Sequence, residues 1–293
     1  MSLCNICPRK CNTDRSENTG VCGVSEKIRI ARAAPHFWEE PCISGTGGSG
    51  AIFFSGCNMK CVFCQNYEIS SGCFGEDINA ERLREIYDEL IYLGVHNINL
   101  VTASHFVPQI IGTLEKPLPV PVVYNTSSYE TVESLKMLEG KVQIYLPDMK
   151  YVSSSLAKKY SLASDYPETA KNAIREMFRQ TGECVFDDDG IMQKGVIIRH
   201  LMLPEETENT LDVIDWVSSE FGDKVVFSLM SQFTPNENCN IPQLKKRITE
   251  EEYNRAVDYI YLCGMENVYV QDFSSAEKEF TPDFDLTGID KQQ

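Results

Sequence analysis

Three cysteines, Cys57, Cys61 and Cys64, fall within the run Gly56-Cys57-Asn58-Met59-Lys60-Cys61-Val62-Phe63-Cys64-Gln65-Asn66, directly after an apolar segment at 51–54. Thiolates at this spacing can converge from one loop on an iron–sulfur cluster. A [4Fe-4S] cubane is usually held by four Cys thiolates, so three leave one iron without a protein ligand and open to an outside chelator. Two plainer readings compete. Structural zinc wants four ligands, commonly as two Cys pairs, and simple thiol packing leaves three cysteines in one short loop unexplained.

A second set, Cys4-x2-Cys7-x3-Cys11-x10-Cys22, ends in Gly20-Val21-Cys22-Gly23. Four thiolates close a metal's coordination, and the spacing suits either a structural zinc ion or a second [4Fe-4S] cluster able to relay electrons. A leader this short and polar cannot build a core of its own, which favours metal as its organiser. Cys42, Cys73, Cys184, Cys239 and Cys263 stand singly and read as packed or free thiols. The run Gly45-Thr46-Gly47-Gly48-Ser49-Gly50 matches G-x-G-x-x-G but precedes a strand, whereas a dinucleotide fingerprint follows one and opens a helix.

Around these motifs the chain must supply a scaffold. At 293 residues, with 42% hydrophobic and 24% charged residues, it can bury one sizeable core. Short apolar runs at 51–54, 98–101, 120–124, 142–146, 196–201, 225–230 and 268–270 read as strands, most of them covered on both faces. Helical periodicity fills the intervals, near 130–138, 167–180, 211–221 and 250–263. It is clearest over 80–93, with Asn79 as N-cap, Leu83, Ile86, Leu90 and Leu93 on one face, and Gly94 as the stop. Repeated βα units predict a parallel sheet with the chemistry at the strands' C-terminal ends. The expected organisation is a Cys-rich leader and connector over 1–50, then a catalytic α/β domain over 51–293. Within the connector, Phe37 and Trp38 read as core and Glu39 and Glu40 as solvated surface, with a substrate contact by the adjacent acids as the alternative. Residues 184–192, with Asp187, Asp188, Asp189 and Gly190, read as a hairpin tip without the spacing of an EF-hand.

The formal charge of −16 repels phosphate backbones, so no nucleic-acid partner is expected. No stretch approaches the ~20 apolar residues of a membrane span, and no secretion signal opens the chain. Twelve cysteines without such a signal point to a reducing, cytoplasmic compartment and to metal ahead of disulfides.

The spacing Cys57-x3-Cys61-x2-Cys64, with Phe63 just before the third Cys, resembles the hallmark of the radical S-adenosylmethionine superfamily. Over most of the chain the likeness is to pyruvate formate-lyase activating enzyme and its activase-like homologues. The resemblance implies a partial TIM barrel, (β/α)6, with the small Cys-rich leader as an N-terminal extension. It further implies a three-Cys [4Fe-4S] cluster that binds S-adenosylmethionine and cleaves it reductively to a 5′-deoxyadenosyl radical. Where the family's Gly-Gly-Glu motif binds the cofactor's amino group, Leu100-Val101-Thr102-Ala103-Ser104-His105-Phe106 stands here, a departure that resembles the activase-like branch. Ser104 and His105 take its place as candidate contacts, although His105 can equally cap the helix that follows.

Asn125-Thr126 matches an Asp-Thr pair that helps hold a monovalent cation in the activase, and Asp148-Met149-Lys150 matches its Asp-x-Lys. An acid and a base at one strand end could bind the zwitterionic methionine part of the cofactor, with a solvated salt bridge as the plainer reading. Arg199, His200 and Gln232 resemble positions that close over ribose and adenine, although a strand-end Arg or His can equally satisfy backbone carbonyls. The implied partners are an electron donor such as flavodoxin or ferredoxin and a glycyl-radical enzyme, or otherwise a peptide or small-molecule substrate. A non-catalytic electron carrier is the reading from another class, against which the βα framework around Asp148 and Lys150 argues.

Overall fold

A computed structural model describes residues 3–235, 239–271, 273 and 282–290. Among these, the strands are β1 (Ile28–His36), β2 (Ser49–Phe54), β3 (Glu76–Ile78), β4 (Ile98–Val101) and β5 (Val122–Thr126), then β6 (Ile144–Pro147), β7 (Val185–Phe186), β8 (Met192–Leu201), β9 (Val226–Met230) and β10 (Val268–Val270). The helices are α1 (Pro41–Ser44), α2 (Tyr67–Ser70), α3 (Ala80–Tyr92), α4 (Val107–Thr113), α5 (Val132–Lys136), α6 (Ser154–Ser161), α7 (Tyr166–Thr181), α8 (Thr207–Glu220) and α9 (Glu250–Leu262).

The strands form one mixed sheet in the order β10-β9-β8-β6-β5-β4-β2-β1-β3, with β7 as a hairpin arm on β8. From β2 to β10 neighbouring strands run parallel, whereas β1 is antiparallel to both β2 and β3. The protein is therefore α/β with a central sheet, as the alternating pattern requires, and the sheet is open, with β10 at one edge and β3 at the other. All seven predicted strands are present. β1 escaped the sequence reading because its outward positions carry Arg29 and Arg32, which pair with Asp77 and Asp285. No helix among the described residues is long and apolar enough to cross a membrane.

Alternation along the strands divides the core. One set, including Ile52, Leu100, Tyr124, Tyr145, Ile198 and Phe227, packs with the helices in the main cluster. The alternate set, including Val123, Ile144, Leu146, Ile197 and Val226, packs against Cys42 and Ile43 of α1. Strand side chains point to opposite faces at successive positions, so α1 lies on the face away from the helix layer. The connector thus crosses the sheet and closes that face beneath the strands' C-terminal ends. Asn97 fixes it there, donating to the Ile43 carbonyl at 2.8 Å.

This placement reverses the expectation for residues 37–40. Phe37 and Trp38 are 53% and 56% exposed, while Glu40 is buried at 8% and the Glu39 side chain at 9%. Glu39 turns inward because partners wait there, namely Arg199, Asn99 and Asn125.

Helix α3 starts as expected, with Asn79 Oδ1 accepting from the Arg82 amide at 2.8 Å and Leu83, Ile86 and Leu90 buried. Leu93 departs from its assigned face and is 56% exposed. It is the C-cap residue, one position beyond the last helical residue Tyr92, where the helical periodicity no longer holds it to the stripe. The 184–192 segment is a hairpin, β7 pairing with β8 and Asp187 Oδ1 accepting the Asp189 and Ile191 amides.

Candidate active site

The loop after β2 enters at Gly56, whose φ of +84° suits glycine and whose amide donates to the Ile69 carbonyl at 2.8 Å. A Cβ at this position would lie 2.9 Å from the Cys22 carbonyl oxygen. Cys57, Cys61 and Cys64 all line one cavity of about 230 Å³ at the C-terminal ends of the parallel strands. Each sulfur accepts a hydrogen bond: Cys57 from the Met59 amide at 3.3 Å, Cys61 from Ser161 Oγ at 3.0 Å, and Cys64 from Ser70 Oγ at 3.3 Å. Burial pushes the Cys64 thiol up to about 12 and raises Cys61 as well. Such thiols stay protonated until a metal takes the proton's place.

These observations fit an iron–sulfur cluster. The donors are soft, they face one cavity, and hydrogen bonds to sulfur are a recognised means of tuning a cluster. Among the described residues no group of three or more His, Cys, Asp or Glu side chains is arranged to hold a single metal ion. A cubane makes a different demand, since its thiolates bind separate irons. Replacing Gly56 by Ala is expected to cost about 1–2 kcal/mol for the left-handed backbone. It should also push the loop off Cys22, so urea denaturation and iron content after reconstitution should both fall.

The same cavity holds a ring of buried charge. Lys150 Nζ lies 2.6 Å from Asp148 Oδ2, and Arg199 Nε donates to Asp148 Oδ1 at 3.0 Å. The Arg199 fork continues to Glu39 Oε2 at 3.1 Å and Asn125 Oδ1 at 2.7 Å. Asn125 and Asn99 then donate to Glu39 Oε1 at 3.1 and 3.3 Å. Burial alone would raise Asp148, but Lys150 and Arg199 hold it below the usual carboxylate range. Burial pushes Glu39 up against the pull of Arg199, and carries the Glu40 carboxyl to about 7. The folded state therefore holds the Glu40 proton to higher pH than the unfolded chain does, and this group's stability contribution falls as pH rises from about 4.5 to 7. Glu40→Gln removes that fall, so its urea-denaturation profile should be flatter than the wild type's across this window.

The remaining predicted residues divide by position. Phe63 is buried edge-on against Tyr160 and Phe233, at ring distances of 6.3 and 6.2 Å, and lines the cavity with Gln232, whose carbonyl accepts from Gln65 Nε2 at 2.9 Å. Thr126 also lines it, although its hydroxyl donates to Glu130 Oε1 at 2.6 Å. Ser104, His105 and His200 do not line this cavity. Ser104 Oγ donates to Glu130 Oε1 at 2.5 Å, and His105 Nε2 meets the Ser55 carbonyl at 2.8 Å rather than capping α4. His200 bridges the Met149 carbonyl and Thr210 Oγ1 at 2.6 and 3.0 Å. Burial holds both imidazoles down at about 4, so they are neutral hydrogen-bonding groups. Glu39 is the site residue whose role the sequence left as an alternative. Glu130, read as a helix start, instead gathers the hydroxyls of Ser104, Thr126 and Tyr124 in the interior.

The leader is tied to the cluster loop. Arg9 donates to the carbonyls of Asn58, Ser161 and Leu162 at 2.8, 2.9 and 2.6 Å, while Cys57 donates its amide to the Cys22 carbonyl at 3.1 Å. Cys7 and Cys22 are buried, and Cys4 and Cys11 are half-buried. Burial pushes Cys7 up to about 11, whereas Thr13 and Val21 hydrogen bonds overcome burial and bring Cys11 down to about 7.

A family model described as a 4Fe-4S single cluster domain matches residues 43–107, which include the Cys57–Cys64 loop but not the leader. An uncharacterized protein of Methanocaldococcus jannaschii, MJ0674, is 27% identical over 278 residues, covering 91% of this chain and 76% of that protein. Among solved structures, Streptococcus suis SuiB bound to precursor peptide SuiA aligns with a TM-score of 0.51 at 13% identity over 74% of this chain. A radical SAM methyltransferase from Sphaerobacter thermophilus aligns with a TM-score of 0.50 at 14% identity over 75%. The alignments span 46% and 65% of those two longer chains. The chain thus shares a fold with SuiB and with that methyltransferase, and the 4Fe-4S single cluster domain match lies over its cysteine loop.

Proposed function

We propose that this chain is a radical S-adenosylmethionine enzyme whose cluster is held by Cys57, Cys61 and Cys64. The observation that carries the reading is that these thiols share one cavity with Asp148, Lys150 and Arg199, an acid and two cations suited to a zwitterionic amino acid. A cluster held there would supply the electron for reductive cleavage of S-adenosylmethionine to methionine and a 5′-deoxyadenosyl radical. The chain's own residues orient the cofactor and exclude water. Lys150 offers its ammonium to the methionine carboxylate, and Asn125, Arg199 and Gln232 border the remainder of the cavity. For the leader cysteines the proposal is a second cluster, since among the described residues no group of three is arranged to hold a single zinc ion.

The proposed setting is cytoplasmic, with flavodoxin or ferredoxin as the electron donor. By resemblance the target is a backbone glycine of a partner glycyl-radical enzyme, and the activase-like branch is where the motifs point. The replacement of Gly-Gly-Glu favours the alternative, radical modification of another peptide or a small molecule. Anaerobic reconstitution, dithionite reduction and quantification of 5′-deoxyadenosine test the reading. Product is expected in wild type, and a loaded cluster that neither binds nor cleaves S-adenosylmethionine would return the chain to the electron-carrier class.

A further inference from the structure

Beside the cysteine cavity lies a second chamber of about 170 Å³ that shares Trp38, Glu39, Arg199, Met230 and Gln232 with it and is lined by none of the cluster-loop residues. Its far wall includes Glu40, Ser228, Tyr269 and Gln271. Glu40 is 8% exposed, and its Oε2 atom is buried without a hydrogen-bond partner. Ser228 meets this carboxyl, yet a buried carboxyl oxygen left without a partner is costly and marks a place where one is missing.

The surrounding charge points the same way. Three carboxyl groups, Glu39, Glu40 and Asp148, draw on the single Arg199 guanidinium, and Lys150 adds only one further cation through Asp148. Among these five groups the acids exceed the bases by one. Glu40 is the member without a direct cation contact, since the Arg199 nitrogens are engaged by Asp148, Glu39 and Asn125. The other walls, Trp38, Met230, Tyr269 and Val270, offer apolar and aromatic surface suited to a hydrocarbon stem.

We propose that this chamber is a substrate subsite that takes a primary ammonium group on a short apolar stem, with Glu40 as its anchor. The inference deepens the radical-enzyme reading and rests on it for the word substrate, because the subsite adjoins the cavity where that chemistry would occur. Binding is non-covalent: the Glu40 carboxyl releases its proton to solvent and accepts a hydrogen bond from the ammonium, which supplies the cation this surplus acid lacks.

The test is calorimetric titration of the cluster-loaded, S-adenosylmethionine-bound protein with n-butylammonium, n-butanol and n-butyrate. The ammonium should bind on the order of tenfold more tightly than the alcohol, the scale of one charge-assisted hydrogen bond, and the carboxylate should be rejected. Glu40→Gln should lose that preference, while Glu40→Asp should keep the sign of the preference at lower affinity. Thermal denaturation of each variant checks that it is folded. A blocked lysine amide that binds more tightly than n-butylammonium identifies a peptide side chain as the source, and the reverse order identifies a free amine. Equal binding of ammonium and alcohol, or a preference unchanged in Glu40→Gln, overturns the subsite. Measuring 5′-deoxyadenosine in parallel separates the two failures: cleavage without ammonium selectivity sinks only the subsite, and selectivity without cleavage sinks only the radical chemistry.

Discussion

Cys61→Ala is expected to lose the cluster's visible absorption after anaerobic reconstitution and to lower 5′-deoxyadenosine formation by more than about 100-fold. The magnitude follows from position. Loss of an outer-shell partner typically costs about 10–100-fold in metal affinity or activity, and Cys61 would be a ligand itself. With its sulfur gone, Ser161 Oγ loses its acceptor and Lys150 loses a neighbouring negative charge. Ser161→Ala, which removes only the hydrogen bond to the Cys61 sulfur, should keep the cluster and shift its reduction potential. Iron analysis and anaerobic absorption spectra separate the two variants. Wild-type-like product from Cys61→Ala would remove the triad from the proposal.

Arg199→Ala carries the second large expected effect. The Arg199 side chain is 14% exposed, and its partners Glu39 and Asp148 are 9% and 16% exposed, so the replacement strands Glu39 in the interior and leaves Asp148 with Lys150 as its remaining cation. Breaking a buried pair by removing one partner typically costs about 3–5 kcal/mol, because the charge left behind has no water to replace the lost cation. Urea denaturation should show a loss of that order near neutral pH. The loss should shrink as pH falls, since without Arg199 the buried Glu39 holds its proton to higher pH in the folded state than in the unfolded one. Arg199→Lys should recover only part of the stability, because one ammonium cannot reproduce a fork that reaches Asp148, Glu39 and Asn125 together. A loss below about 1 kcal/mol in Arg199→Ala would show the ring to be solvated and weak.

Much of the scaffold was legible because its signals are local. Short, β-branched apolar runs such as 122–124 read as strands covered on both faces, and their alternation with amphipathic helices leaves a parallel sheet as the economical solution. Leu93 shows where periodicity stops being informative, at a helix end where one residue decides between stripe and solvent. Ser104, His105 and His200 were assigned by their nearness to strand ends. Whether such a side chain faces the cavity or the helix layer depends on a one-residue phase, and the structure turns all three to interior partners.

By itself, then, the sequence determined the α/β class, the parallel strands and the grouping of Cys57, Cys61 and Cys64, because residues on one short loop and side chains along one strand are related by geometry that the chain carries locally. Only the tertiary structure decided that the connector would cross the sheet, that Glu39 and Glu40 would be buried while Phe37 and Trp38 stayed exposed, and that Arg199 would join three elements. Those facts depend on partners as distant as the 160 positions between Glu39 and Arg199. A buried carboxylate becomes tolerable only where the fold delivers a cation and amides to meet it, and no local pattern of residues records that meeting.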